Sequence, residues 1–417
     1  MDSKQCSLYW HATLFLAIFL IALASPASSA AQESILYKFT GGYDGGVPYS
    51  GLIFDAAGNL YGTTTYGGTG VFYGTVFQLT RVDGKWKEHV LHSFKGGNDG
   101  SYPEAQVVLD QAGNIYGTTS YQGPYGYGTV FELTLTNGRW KKTTLHAFKG
   151  SAKGDGEYPQ SGVILDKAGN LYGTTQFGGR SQTCSDACGT VFKLTHSKHG
   201  WKEDILHIFT GKNGDGAGAS SGLTFDLAGN LIGTTEQGGS AGYGTAYQLA
   251  HSKSGWKETV LYQFNGTTEG AIPDSGLIND KNGSLYGVTS NGGTGGYGTV
   301  YELEYSNGGW TENVLYNFNP GAGFPGGNLV FDQNGNLYGA ETALGCCGGV
   351  FELTPDHGQW NENVLYTFTG PNNKDGMSPN GGLIFDAVGN LYGTTSLGGY
   401  GPCDEGLGCG IVFQLSP

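Results

Sequence analysis

One heptapeptide returns along this chain at a nearly fixed interval, and that recurrence constrains the fold more than any other feature. The segment Gly58-Asn59-Leu60-Tyr61-Gly62-Thr63-Thr64 has copies whose first glycines are Gly113, Gly169, Gly229, Gly283, Gly335 and Gly389. The steps are 55, 56, 60, 54, 52 and 54 residues. A period of this length marks a repeat architecture in which each unit buries its apolar face against its neighbours. The first copy predicts four short strands: Gly51 to Asp55, Asn59 to Thr64, Thr75 to Thr80 and Trp86 to Phe94. All are rich in β-branched and aromatic residues and are separated by Gly, Asp and Asn turns. Several run continuously apolar, as expected for a sheet covered on both faces. Seven four-stranded units predict an all-β, seven-bladed β-propeller.

The ends predict how the ring closes. Ile35 to Phe39 matches the fourth-strand segments Val260 to Phe264 and Val364 to Phe368, while the last copy runs out after a third strand, Ile411 to Leu415. The spare N-terminal strand is expected to complete the seventh blade and remove an exposed edge. Six copies carry a tryptophan at the start of strand four, from Trp86 to Trp360, and the spare strand has none. Seven aspartates (Asp55, Asp110, Asp166, Asp226, Asp280, Asp332 and Asp386) stand three residues before each repeat glycine. They are read as turn formers, not as metal ligands.

The pattern GLIFDxxGNLYGTTxxGG…YGTVFEL resembles the tandem GloVer repeat of exported bacterial proteins. Asn59 to Thr64 and Tyr73 to Leu79 carry it most cleanly, and the resemblance extends from Ile35 to Leu415. The family has no assigned activity, so the resemblance implies a repeat fold and export but no catalytic residues.

Composition agrees with an exported, glycine-rich β protein. Charged residues make up 13%, aromatic residues also 13%, and there are 77 glycines, a mix unlike an acidic disordered tail. A net charge of −14 disfavours binding to phosphate backbones, so no nucleic-acid partner is expected. Residues 1–31 read as a signal peptide: Lys4, an apolar run from Leu14 to Ala24, and Ser28-Ser29-Ala30 before cleavage near 30/31. Residues 32–417 then form a single propeller of roughly 55-residue repeats, secreted or periplasmic, with no membrane span and expected as a monomer. Six cysteines follow the signal, and an even count in an oxidising compartment favours disulfides.

In an up-and-down meander the loops after strands two and four share one face, here called the upper face. They are the long, variable, glycine-rich loops, where binding is expected. Asp44, Asp99, Asp155, Asp215, Glu269 and Asp375 hold one register in the loop leading to strand one, and copy six lacks the acid. With strand one innermost, these acids are expected at the channel mouth, either as a site for a sugar hydroxyl or a cation such as Ca²⁺, or as Asp-Gly turns facing water. Tyrosines of the same face (Tyr66, Tyr73, Tyr121, Tyr125 and Tyr127) offer flat rings to a glycan, or pack between blades. Where Tyr73 and Tyr127 have counterparts Cys188, Cys347 and Cys409, a second cysteine stands earlier in the loop: Cys184, Cys346 and Cys403. Cysteine pairs are read as replacing a tyrosine plug, which predicts bridges 184–188 and 403–409. An adjacent Cys346–Cys347 bridge would be strained. A pairing between blades six and seven is the rival, and a shared zinc site is disfavoured because three blades would have to converge on it.

Catalytic signals are weak. His92, His146 and His207 share a register with Tyr262, Tyr316 and Tyr366 and read as packed aromatics. Gly218-Ala219-Ser220-Ser221-Gly222 spells a nucleophile elbow, but that motif needs a strand-to-helix turn. The sequence favours a binding or surface-interaction module for a glycan, cation or cell-surface protein. A hydrolase or lyase using channel-mouth carboxylates, and a purely structural envelope component, are the alternatives.

Overall fold

A computed structural model describes residues 31–416 apart from 71, 181–183, 185–187, 322 and 343–346. The expected signal segment therefore lies outside the described residues, except for Ala31, and so does Cys346. The chain forms seven four-stranded antiparallel sheets arranged as a seven-bladed propeller. In blade 1 the strands are Ile53–Phe54, Leu60–Thr64, Thr75–Val82 and Lys85–Ser93. The innermost strand pairs over two residues only, Ile53↔Tyr61 and Phe54↔Leu60, shorter than the apolar run predicts. Just before it, Gly51 already lies against the backbone of Gly382 in blade 7, so the chain here serves the crowded axis instead of the ladder.

The opening strand closes the ring as expected. Gln32–Lys38 pairs antiparallel with Ile411–Ser416, from Gln32↔Ser416 to Lys38↔Ile411, as the outermost strand of blade 7. The register slips between Ile35 and Tyr37, and every other blade slips at the same place between its third and fourth strands, as at Val76/Phe77. Such a bulge bends the outer strand and increases its twist.

Two contacts explain the repeat sequence. The glycine of each Leu-Tyr-Gly lies under an aromatic ring of the third strand. A Cβ on Gly62 would stand 2.7 Å from Phe77, and one on Gly287 would stand 2.5 Å from the Tyr301 hydroxyl. The phenylalanine ending each fourth strand then reaches into the next blade and meets that same ring edge-on. Phe94 meets Phe131 at 5.3 Å between centroids, Phe264 meets Tyr301 at 5.1 Å and Phe368 meets Phe413 at 5.0 Å. Phe39 of the opening strand does the same to Phe77 of blade 1 at 5.1 Å. All these phenylalanines are buried, so the core is a chain of near-identical seams between blades.

The seven aspartates close the turn between the first and second strands. Asp55 Oδ1 accepts bonds from the backbone of Ala57 and Asn59 at 2.9 Å each, and Oδ2 accepts from Asn59 Nδ2 and the Tyr61 hydroxyl. Burial opposes the charge, yet these donors hold the carboxyl below its ordinary value.

Candidate functional site

The six loop acids do not line the axial cavity. Each lies only a few residues beyond an outermost strand, so it is still at the rim and turns back onto that strand. Asp44 accepts from Thr40 N at 2.8 Å and from the Tyr37 hydroxyl at 3.1 Å. Asp99 meets Lys95 N and His92 Nε2, both at 3.1 Å. Asp155 meets Lys149 N at 2.9 Å and His146 Nε2 at 3.2 Å. Asp215 takes Thr210 N at 2.7 Å and stands 3.5 Å from His207 Nε2. Glu269 accepts from the Tyr262 hydroxyl at 2.5 Å, and Asp375 from Thr369 N at 2.7 Å and the Tyr366 hydroxyl at 3.1 Å. The expected ring at the channel mouth is thus a girdle at the blade junctions. The histidines in this register are partners of the acids as well as packed rings.

A second charged residue faces most of these acids from the neighbouring blade, two positions after its tryptophan. At the first junction after the ring closure it is Glu88, whose carboxyl is pushed up to about 7 by burial and then by the charge of Asp44. Glu312 is pushed to about 8 by burial and the charge of Glu269, and Glu33 to about 7 by burial and the charge of Asp375. Copy six, which lacks the loop acid, compensates from its second strand. Buried Glu341 lies beside Glu362, and burial followed by that charge pushes it to about 7. Only blade 2 reverses the sign, with Lys142 Nζ 3.0 Å from Asp99 Oδ1.

The axis itself is lined one register later, by residues that follow the loop proline or its counterpart. Tyr49, Gln160, Ser220, Asp274 and Asn380 border a cavity of about 300 Å³. Asp274 is pushed up to about 7 by burial and by the charge of Glu236. The Ser220 hydroxyl donates to Glu236, and no helix follows Ser220, so the elbow motif has no elbow.

Glu104 holds the same register in blade 2 and opens onto the upper face. With Tyr102, Tyr121, Gln122 and Gly126 it lines a cleft of about 450 Å³. Its carboxylate accepts from Ser120 Oγ at 2.8 Å, and burial raises its proton affinity. Around this cleft an arc of rings crosses blades 1 to 3. Phe72 and Tyr66 are 6.0 Å apart, Tyr66 and Tyr102 5.7 Å, Tyr102 and Tyr121 5.3 Å, and Tyr121 and Tyr158 4.9 Å. Phe72, Tyr121 and Tyr125 are exposed. Tyr102 and Tyr158 are held at φ near +58°. Val47, Ile272 and Ser378 share it at the same pre-proline register, so this left-handed backbone belongs to the repeat, and the tyrosines are what blades 2 and 3 add to it.

Of the expected tyrosines, Tyr66 and Tyr121 belong to the arc, and Tyr125 is exposed on the same loop. Tyr73 and Tyr127 are half-buried plugs. A Cβ on Gly96 would stand 2.6 Å from the Tyr73 ring, and one on Gly150 would stand 2.7 Å from Tyr127. The cysteines fill the same slot. Cys184–Cys188 and Cys403–Cys409 are disulfides, with Cα atoms 5.5 and 5.0 Å apart, and the second lies over Gly41. Cys347 Sγ lies over Gly370 in the corresponding loop. Sequence reasoning missed Tyr102, Tyr158 and Glu104. Their signal was the aromatic immediately before Pro103 and Pro159.

The Gloeobacter/Verrucomicrobia repeat profile matches residues 24–223 and 181–413. No curated protein matches the chain. Among solved structures, a candidate 6-phosphogluconolactonase from Bacteroides uniformis ATCC 8492 superposes with a TM-score of 0.52 at 14% identity, covering 88% of this chain and 100% of that one. A puromycin hydrolase gives 0.51 at 14% identity, covering 91% of this chain and 54% of that one. Identities this low speak for the shared propeller and for nothing finer. Among the described residues no helix is long and apolar enough to cross a membrane.

Proposed function

This chain belongs to the Gloeobacter/Verrucomicrobia repeat family, and from that premise we propose that it is an exported module that binds a glycan on its upper face. The observation carrying this reading is the aromatic arc beside Glu104. Edge-on tyrosines present flat, amphipathic surfaces to the apolar face of a pyranose at low entropic cost. A half-buried carboxylate among them supplies the acceptor that orients hydroxyl groups. The arc is confined to blades 1 to 3. The equivalent loop positions elsewhere hold Gln237, Asn291 and Leu397, so the site is local and not a by-product of the repeat. The disulfides fit the oxidising compartment that an export signal implies.

A glycan array of the purified protein tests this. Retention of a defined class of oligosaccharide is expected, with retention lost in the double variant Tyr102→Ala/Tyr121→Ala while the thermal midpoint is kept. An array on which nothing is held, or on which the double variant binds as well as the parent, would sink the proposal.

One observation favours a second reading, a hydrolase of the axial cavity. Asp274 holds its proton near neutrality beside Glu236, an arrangement suited to an acid and base pair. Turnover of aryl esters or glycosides that disappears in Asp274→Asn would favour it. Equal rates in the variant would exclude it.

A further inference from the structure

We propose that two of the blade junctions are divalent transition-metal sites, each built from one histidine and two carboxylates. At the junction of blades 2 and 3, His146, Asp155 and Glu203 present ligand atoms within 4.8 Å of one another, and His207, Asp215 and Glu258 do the same between blades 3 and 4. The spacing is that of a coordination sphere. His146 Nε2 is 3.2 Å from Asp155 Oδ2 and 3.4 Å from Glu203 Oε2. Tetrahedral zinc with bonds of about 2.0–2.2 Å has donors about 3.3–3.5 Å apart. The ligands are also held in place. Lys149 N and Gly156 N bind the two oxygens of Asp155 at 2.9 and 2.7 Å, and the His146 ring is braced edge-on by Phe148 at 4.8 Å. The outer-strand bulge lies at this register, between Val130 and Phe131 opposite His146 and Thr144.

Two further observations point to a cation. The Glu203 and Glu258 Oε1 atoms are out of contact with solvent and lack a hydrogen-bond partner, as do Glu33, Glu88 and Glu312 Oε1 at the junctions that carry tyrosine. These two junctions differ by their imidazole, and His207 Nε2 comes no closer than 3.5 Å to Asp215, too far for a well-formed hydrogen bond. A buried acceptor left in that state is costly, and a metal would satisfy it. The preceding junction shows the same frame already filled: with His92 and Asp99 in place, blade 2 puts Lys142 where the other blades put glutamate, and its ammonium sits 3.0 Å from Asp99. A protein cation there stands where a bound cation would stand in the next two junctions. One imidazole with two carboxylates is a borderline set, suited to zinc in preference to calcium, which prefers six to eight oxygens. Three protein donors leave a fourth position for water. Each ion would tie two blades together across the rim.

The test is a calorimetric titration of the purified protein, stripped with a chelator, using Zn²⁺ alone, with a parallel Ca²⁺ titration. Two equivalents of zinc are expected, with a raised thermal midpoint. Cobalt substitution should give the intense visible bands of a tetrahedral site. Glu203→Lys copies the native Lys142 arrangement, so it is expected to fold, and it should remove one equivalent. Glu203→Lys/Glu258→Lys should remove both. Stoichiometry unchanged in these variants, no zinc uptake, or calcium bound as well as zinc would each overturn the assignment.

Discussion

The rim and the axis of this propeller use the same repeat in opposite ways. At the rim, each junction rebuilds one frame: an outer-strand His or Tyr, an acid, and a charged partner from the next blade. Even blade 6, without the loop acid, restores it with Glu341 beside Glu362. At the axis the equivalent register holds Tyr49, Glu104, Gln160, Ser220, Asp274, Gly326 and Asn380, seven different residue types. A position that must be rebuilt seven times serves the assembly of the ring. One that differs in every copy is free of that demand, and only such a position can make one side of a pseudosymmetric ring unlike the other. The arc of blades 1 to 3 and the Asp274–Glu236 pair are such departures. Rim substitutions should therefore change stability and leave glycan binding alone, and upper-face substitutions should do the reverse.

The largest effect is expected where the frame closes. Phe39 is fully buried and makes the edge-on ring contact that joins the opening strand to blade 1. Phe39→Ala should cost about 3–5 kcal/mol, read as a lowered denaturant midpoint, with glycan affinity at the surviving folded fraction unchanged. A shift below about 1 kcal/mol would mean that ring closure does not rest on this seam. Next is the turn. Asp110 accepts from Ala112 N, Asn114 N, Asn114 Nδ2 and the Tyr116 hydroxyl. Asp110→Ala should cost about 1–3 kcal/mol. The test of the metal alternative is the same measurement in chelator, where the cost should persist.

How far these regions can be read from sequence follows the same division. The frame was legible because it repeats: Gly62, Phe77 and Phe94 recur at fixed spacing, and the spare strand Ile35 to Phe39 could be placed by matching it to its copies. The cysteine slots were legible because cysteine stands where Tyr73 and Tyr127 stand in other copies. The six acids were equally visible but were placed at the wrong radius. Sequence gives their order along the loop, and only the path of the chain shows that Asp99 is still at the rim when Glu104, five residues on, has reached the cleft. The arc was hidden for a related reason. Tyr66, Tyr102, Tyr121 and Tyr158 come from different blades, and their adjacency is a property of the closed ring.

A smaller effect belongs to the upper face. Glu104→Gln keeps the shape and the bond to Ser120 but removes the charge, and charged hydrogen bonds exceed neutral ones by about 1 kcal/mol. The Kd for the retained glycan should rise several-fold while the thermal midpoint stays put. A lowered midpoint with unchanged Kd would assign Glu104 to the frame and erase the distinction drawn here.

The smallest effect tests the frame by pH. Glu312 titrates near 8 in the folded chain, raised first by burial and then by Glu269, with the Tyr262 hydroxyl as the other group facing it. A carboxyl whose proton is held more tightly when folded stabilises the fold fully below its unfolded value, about 4.3. That contribution is lost as pH rises through the folded value. Glu88 and Glu33, both near 7, act in the same direction. The thermal midpoint should therefore fall between about pH 5 and pH 9. Glu312→Gln cannot ionise, so its midpoint should fall less steeply over the same range, most clearly above pH 7, with glycan affinity untouched. Parallel midpoint curves for the two proteins would show that the junction tolerates both charges at once. The girdle would then be solvated side chains instead of a set of protons held between blades.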